Sequence, residues 1–232
     1  MEKNDLKISG SGSASGGSYQ QVVIRGEGMI GGDLDCSKFR TYGTSTLSGD
    51  AAVQTFAIHG ESEVGGSLKA KKAKIFGTAD IAGDAEISEA AVKGMVNIGG
   101  NMTAETCDIK GALTVKGDCE AERFALQGSL ELKGLLNAGM IEIGLRLGKS
   151  SIGDIGGTVI KVVNKRGFFK RNGGFLSAKV IEGDDIYLEN TTAQIVRGNK
   201  VHIGPGCRIE AVEYKSDYQV SSRADVKENK QS

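Results

Sequence analysis

Tryptophan is absent from this chain of 232 residues, proline occurs once, at Pro205, and histidine twice, at His59 and His202. So few imidazoles leave little material for histidine-centred catalysis. The four cysteines, Cys36, Cys107, Cys119 and Cys207, form no CxxC pair. That argues against a zinc site and a disulfide framework, and it fits a reducing compartment. Net charge is also missing, with Lys+Arg and Asp+Glu at 29 each, so there is no general electrostatic case for nucleic-acid binding. No stretch approaches the about 18 apolar residues of a membrane-spanning helix. Met1–Asp5 and the Gly/Ser stretch after it lack the apolar centre of a secretion signal. The expected location is the cytoplasm. No GxxxxGK[ST] loop is present, which argues against nucleotide-driven chemistry. No motif calls for a cofactor or a metal.

Glycine, in contrast, is abundant, with 35 residues, and its placement is regular. One series runs Gly26, Gly43, Gly60, Gly77, Gly94, Gly111 and Gly128. A second runs Gly32, Gly49, Gly66, Gly83, Gly100, Gly117 and Gly134; every step in both is 17. Apolar positions keep the same interval. Four residues after the first glycine stand Ile30, Leu47, Val64, Ile81, Ile98, Val115 and Leu132; two before it stand Ile24, Thr41, Ile58, Ile75, Val92, Ile109 and Leu126. Apolar and polar residues alternate between the glycines, the period of a strand. The glycines are expected at sharp turns with positive φ. The fold class is therefore all-β: a single-stranded parallel β-helix of about 17 residues per coil, its coils stacked at about 4.8 Å so that like residues form ladders.

Asp33, Asp50, Asp84 and Asp118, with Ser67 and Asn101 between them, directly follow the second glycine. A carboxylate cluster on a β-helix could be a glycan-cleaving site. Repetition at every corner favours turn residues bonding their own backbone. Cys36 and Cys119 fall in inward columns, and Cys107 shares an apolar column with Phe39, Phe56 and Phe124.

The interval is strict from about Val22 to Leu147, and the regular helix is assigned to residues 21–157. Thr158–Val163 and Phe175–Ile181 are strand candidates around a basic, aromatic tip, so residues 158–181 are expected to form a β-hairpin arm. Its Lys165, Arg166, Phe168, Phe169, Lys170 and Arg171 form a candidate membrane or partner contact. Coil-like text resumes over residues 182–214, where Ile186 and Ile203 are again 17 apart. Residues 1–20 and 215–232 are expected to be disordered tails.

One coil buries too little to offset the entropy of ordering its backbone, whereas a stack of coils can. Neither end shows an amphipathic capping helix, so the end coils are expected to join into open linear polymers. Val22, Ile24, Ile30 and Leu34 at one end, and Ile203, Ile209, Val212 and Tyr214 at the other, are the candidate self-association residues.

Repeats such as Ile75-Phe76-Gly77-Thr78-Ala79-Asp80-Ile81-Ala82-Gly83-Asp84 resemble those of the bactofilins, polymer-forming bacterial cytoskeletal proteins. The segment from Glu182-Gly183-Asp184-Asp185-Ile186-Tyr187-Leu188-Glu189 through Ile203-Gly204-Pro205-Gly206-Cys207 resembles the end of the longer Gram-positive members. The resemblance covers about Val22 to Tyr214. It implies a right-handed β-helix, nucleotide-free filaments, and a scaffold that positions cell-envelope, cell-shape or motility machinery. It also implies a homopolymer, co-assembly with a paralogue, and contact with the inner face of the cell membrane or with envelope proteins. The chain departs from the simplest members in its inserted arm and in lacking a hydrophobic N-terminal anchor. A rival reading is a left-handed β-helix acyltransferase, to which Ile203-Gly204-Pro205-Gly206-Cys207-Arg208-Ile209 has some likeness, with His202 as the base. Hexapeptide sides, however, do not sum to a 17-residue coil.

Overall fold

Period-two alternation becomes strand throughout the computed structural model, which describes residues 3–146, 148–165 and 173–232. Every regular element among the described residues is a β-strand, and the strands form a parallel β-solenoid. The chain divides into two compact units, Met1–Lys116 and Gly117–Ser232.

The first unit holds β1 (Leu6–Leu47), β2 (Ala51–Val64), β3 (Leu68–Ile81), β4 (Ala85–Ile98) and β5 (Met102–Val115), neighbours in that order. Each residue pairs with the one 17 further on: Leu34 with Ala51, Ile58 with Ile75, Val92 with Ile109. Alternate residues point inward and are buried, Ile58, Leu47 and Val64 completely. Phe39 and Phe56 stack inside, ring centres 5.3 Å apart and 11° from parallel. Polar intruders are satisfied. The buried Thr41 hydroxyl donates to Ser45 Oγ (3.0 Å), which donates to Ser62 Oγ (2.9 Å), so these groups avoid the cost of an unpaired buried donor.

The two glycine series exist for different reasons. The first has positive φ, as at Gly94 (143°), where a Cβ would also collide with the Gly77 carbonyl oxygen of the coil before. Among the described residues the second series, apart from Gly32, does not have positive φ. There a Cβ at Gly100 would occupy the place of the Asp84 carboxylate, and at Gly66 that of Asp50.

The second unit holds β6 (Cys119–Leu145), β7 (Lys149–Asn164), β8 (Phe175–Leu188), β9 (Thr191–Ile203), β10 (Arg208–Val220) and β11 (Asp225–Gln231), again parallel and in order. Its interval varies. One column runs Ile141, Ile160, Ile186, Val201 and Tyr218. Ile186 therefore lies under Val201, not under Ile203, because the coil between them is two residues short. The column stays in phase because each strand keeps its own alternation while corners absorb the length differences.

Three expectations need correction. Thr158–Val163 and Phe175–Ile181 are not the sides of a hairpin. They belong to β7 and β8, which pair in parallel from Lys149 with Phe175 to Val162 with Leu188. Ile160, Val162, Leu176 and Ala178 face the core, and this burial holds both strands in the stack. The insertion shrinks to the link between β7 and β8, its base fixed by Lys165 N–H to Leu145 O (2.8 Å) and Phe175 N–H to Gly148 O (3.1 Å).

The tail expected at residues 1–20 is ordered over its described residues, 3–20, since β1 begins at Leu6 and Ile8 is buried. Gln20 N–H donates to Asn4 O (2.9 Å), and Gly10 lies directly beneath Gly26. A sheet edge pairs with backbone, so a Gly/Ser segment can add a coil without supplying large side chains. Residues 215–232 likewise continue β10 and form β11, with Arg208 opposite Asp225 and Tyr214 opposite Gln231. The charges of β11 point outward and only Val226 is half-buried among them, so its polar composition is that of an exposed strand.

Alanine at either glycine column should destabilise the fold, and the rescue should tell the columns apart. Gly94→Ala is expected to cost about 1–3 kcal/mol, as backbone strain does, and no side-chain change nearby should recover it. Gly100→Ala should be partly rescued by Asp84→Gly. Urea denaturation of the single and double variants measures both couplings.

Candidate functional site

The acidic column is built into the coil corners. Asp50 N–H donates to Asp33 Oδ1 (2.9 Å), Ser67 N–H to Asp50 Oδ1 (2.7 Å), Asp84 N–H to Ser67 Oγ (3.2 Å) and Asn101 N–H to Asp84 Oδ1 (2.7 Å). In the second unit Leu135 N–H donates to Asp118 Oδ1 (2.8 Å). The expected bond to each residue's own backbone is replaced by one to the next coil. These carboxylates staple successive corners together, which accounts for both the acid and the glycine beside it.

His202 lies edge-on to the Tyr187 ring, centres 4.9 Å apart. The carboxylate bonded to Tyr187 has its own partners. Glu189 accepts from the Asn164 backbone N–H (2.8 Å) and from the Tyr187 hydroxyl (2.7 Å). That bond, with burial, pushes the Tyr187 hydroxyl up to about 12. Cys207 is buried beneath, its thiol donating to Leu188 O (3.3 Å). Burial raises the Cys36 and Cys207 thiols to about 11 and Cys119 to about 12, the reverse of an activated nucleophile.

The end-coil candidates lie inside the stacks. Val22, Ile24 and Ile30 are fully buried and Leu34 is 2% exposed, because residues 3–20 cover them. Ile203, Ile209 and Val212 are buried beneath β10 and β11, and Tyr214 stacks on Tyr218 at 5.0 Å. The outermost strands are thus the start of β1 and β11. Of the arm candidates, Lys165 is exposed; Arg166, Phe168, Phe169, Lys170 and Arg171 lie outside the described residues.

Sequence reasoning missed two surfaces. The first is an open groove of about 800 Å³ in the second unit, lined by Gly157, Gly183 and Gly198 of the irregular coils. Arg197 spans its wall, 2.8 Å from Glu213 and 4.0 Å from Glu182. The second is on the first unit. The outward columns before the first glycine series carry Arg25, Arg40, Lys74, Lys93 and Lys110 against one acid, Asp108. On this face Tyr42, His59 and Phe76 form a stack with centroid spacings of 5.1 Å. Arg25 closes one end at 5.8 Å from the Tyr42 ring, and Lys93 the other at 5.4 Å from Phe76. The strand after the same glycines carries Glu27, Glu61, Glu63 and Asp80 on its outward columns and no Lys or Arg. The third side mixes both signs in ladders, with Lys69 paired to Glu86 at 2.7 Å and Lys72 to Glu89. The neutral chain is therefore sorted by face. Counting charges at positions 17 apart would have exposed this.

Over 224 residues the chain is 57% identical to the uncharacterized protein YhbF of Bacillus subtilis strain 168, covering 97% of this chain and 95% of YhbF. It is 60% identical over 225 residues to the uncharacterized protein YhbE of the same organism, covering 95% of each. The chain belongs to the family of YhbF and YhbE. No family model matches it, and no solved structure matches it significantly. The likeness to both relatives spans both units, so the family shares the whole stack rather than one part of it.

The buried thiols supply a test with a defined sign. The folded chain should leave all four cysteines unreactive towards a disulfide reagent at pH 8, and denaturant should release all four. Three thiols are held above their ordinary value of 9.0 in the folded state. The stability they contribute is present below pH 9 and is lost as pH rises towards 11 to 12. Urea midpoints measured across that range should fall.

Proposed function

We propose that this protein is a filament-forming cytoskeletal scaffold of the bactofilin kind, without enzymatic activity. It assembles end to end without nucleotide and positions cell-envelope, cell-shape or motility machinery. The observation that carries this reading is the open strand edge. Among the described residues β11 pairs with β10 alone, leaving its other edge of N–H and C=O groups without a strand. At the opposite end the Gly/Ser-rich start of β1 covers Val22 to Leu34 with a coil of small side chains, so its backbone is accessible along its outer edge.

Such edges pair with other strands unless they are protected. Docking two folded ends spares the chain entropy already lost on folding, and each new backbone bond contributes about 1 kcal/mol net. The joining surfaces are residues 6–20 and 225–231, one coil further out than the apolar residues the sequence singles out. Asp225, Lys227, Glu228 and Lys230 flank the β11 edge, which makes the junction sensitive to salt. Two family members in one organism support co-assembly of paralogues through the same edges.

Negative-stain microscopy of the purified chain without nucleotide should show unbranched filaments. Val226→Asp should shorten or abolish them while circular dichroism and thermal stability stay near parental values, because Val226 lies in an outermost strand. Ile209→Asp should unfold the chain instead, since it places a carboxylate in the core. A monodisperse monomer at all concentrations and salt levels would overturn the scaffold reading.

A further inference from the structure

We propose that the basic, aromatic face of the first unit is a docking surface for an anionic lipid bilayer. This deepens the scaffold reading by naming what the scaffold lies on. It rests on different residues and needs neither end coil.

From Gly26 to Gly111, Arg25, Arg40, Lys74, Lys93 and Lys110 share these columns with one acid, Asp108, a net charge of +4 on a chain whose total is zero, and Lys7, three residues before Gly10, extends the same column. Arg25 to Lys110 span five coil spacings, about 24 Å along the axis. The surface is linear and made of strand, so every cation can approach a plane at once. Such an excess matches the negative charge of an anionic leaflet, and the acidic columns lie on a different side of the coil.

The aromatic stack narrows the choice of partner. Sugars and nucleobases bind aromatic residues through the ring faces. Here those faces are taken: His59 lies between Tyr42 and Phe76 at 5.1 Å from each, and Arg25 and Lys93 cover the outer two. What the stack presents outward is ring edge. Tyr42 and Phe76 are 42% and 41% exposed, which places apolar edges among cationic heads, the arrangement that suits the water–lipid boundary. Size argues against a protein partner. A strip about 24 Å long and one short strand wide offers a few hundred Å², well below the about 800 Å² per side of a standard protein interface. A bilayer needs no matching partner surface, and each cation near it contributes independently.

Flotation of the intact chain with extruded vesicles tests this. The chain should float with phosphatidylglycerol-rich vesicles, not with phosphatidylcholine alone, and added salt should release it. Replacing the five basic residues with Gln should lower partitioning by about fivefold per cation removed. Phe76→Ser with Tyr42→Ser should weaken it further at unchanged charge. Lys38, Lys69, Lys71 and Lys72 changed to Gln, on the mixed side, should leave most of the binding. Circular dichroism confirms that each variant is folded. Equal flotation of the five-fold variant and the parent would overturn the proposal, as would equal binding to both vesicle types. A second copy as partner is the other outcome. The Gln variants at Glu27, Glu61, Glu63 and Asp80 would then lose lipid-free association, and the parent would not float; with a lipid surface these variants still float. Running the assembly-defective Val226→Asp variant alongside separates failure of filament formation from failure of lipid binding.

Discussion

Parallel strands stacked one inter-strand spacing apart place each residue directly above the residue one coil earlier. That constraint organises the rest of the molecule. A corner needing positive φ is needed again about 5 Å along the axis, so glycine recurs down a column, and each glycine also has to admit the carbonyl of the one before it. The carboxylate that accepts an amide from the next coil occupies the space where the next glycine's Cβ would stand. The two glycine columns are thus answers to two requirements, one of backbone conformation and one of volume.

The same stacking turns isolated side chains into continuous features. Tyr42, His59 and Phe76 would be three unremarkable surface residues in most folds; here the coil brings their rings face to face. Charge is likewise grouped into a basic, an acidic and a mixed side on the first unit. Overall neutrality concealed this, since a composition sums over faces that point in different directions. The basic columns of Arg25, Arg40, Lys74, Lys93 and Lys110 lie on the regular coils, outside the inserted segment that the sequence singles out.

Much of the fold was legible in the residues. Gly43 through Gly111 and the ladders of Ile58, Ile75, Val92 and Ile109 fixed the coil length and the inward columns. Less legible were the ends. Gly/Ser composition at residues 9–18 reads as flexible linker, and the charges of residues 225–231 as solvated tail, yet both pair as strands. An edge supplies hydrogen bonds to any extended backbone, so neither segment needed the apolar alternation on which strand recognition depends. The shift of the outer edge by one coil at each end changed which residues an assembly would use. The supposed hairpin failed for a related reason: strong alternation in Thr158–Val163 and Phe175–Ile181 specifies strand but not direction, and burial of Ile160 and Leu176 decided for parallel.

The sequence by itself determined a parallel coil of 17 residues, its inward columns and its corners, because a strict period leaves one packing in which every apolar column is buried. Only the tertiary structure decided that the two end segments join the stack, what the corner carboxylates bond to, and which residues share a column in the second unit. Those depend on contacts between residues a full coil or more apart, where the intervals of the second unit change from one turn to the next and no fixed count along the chain can follow them.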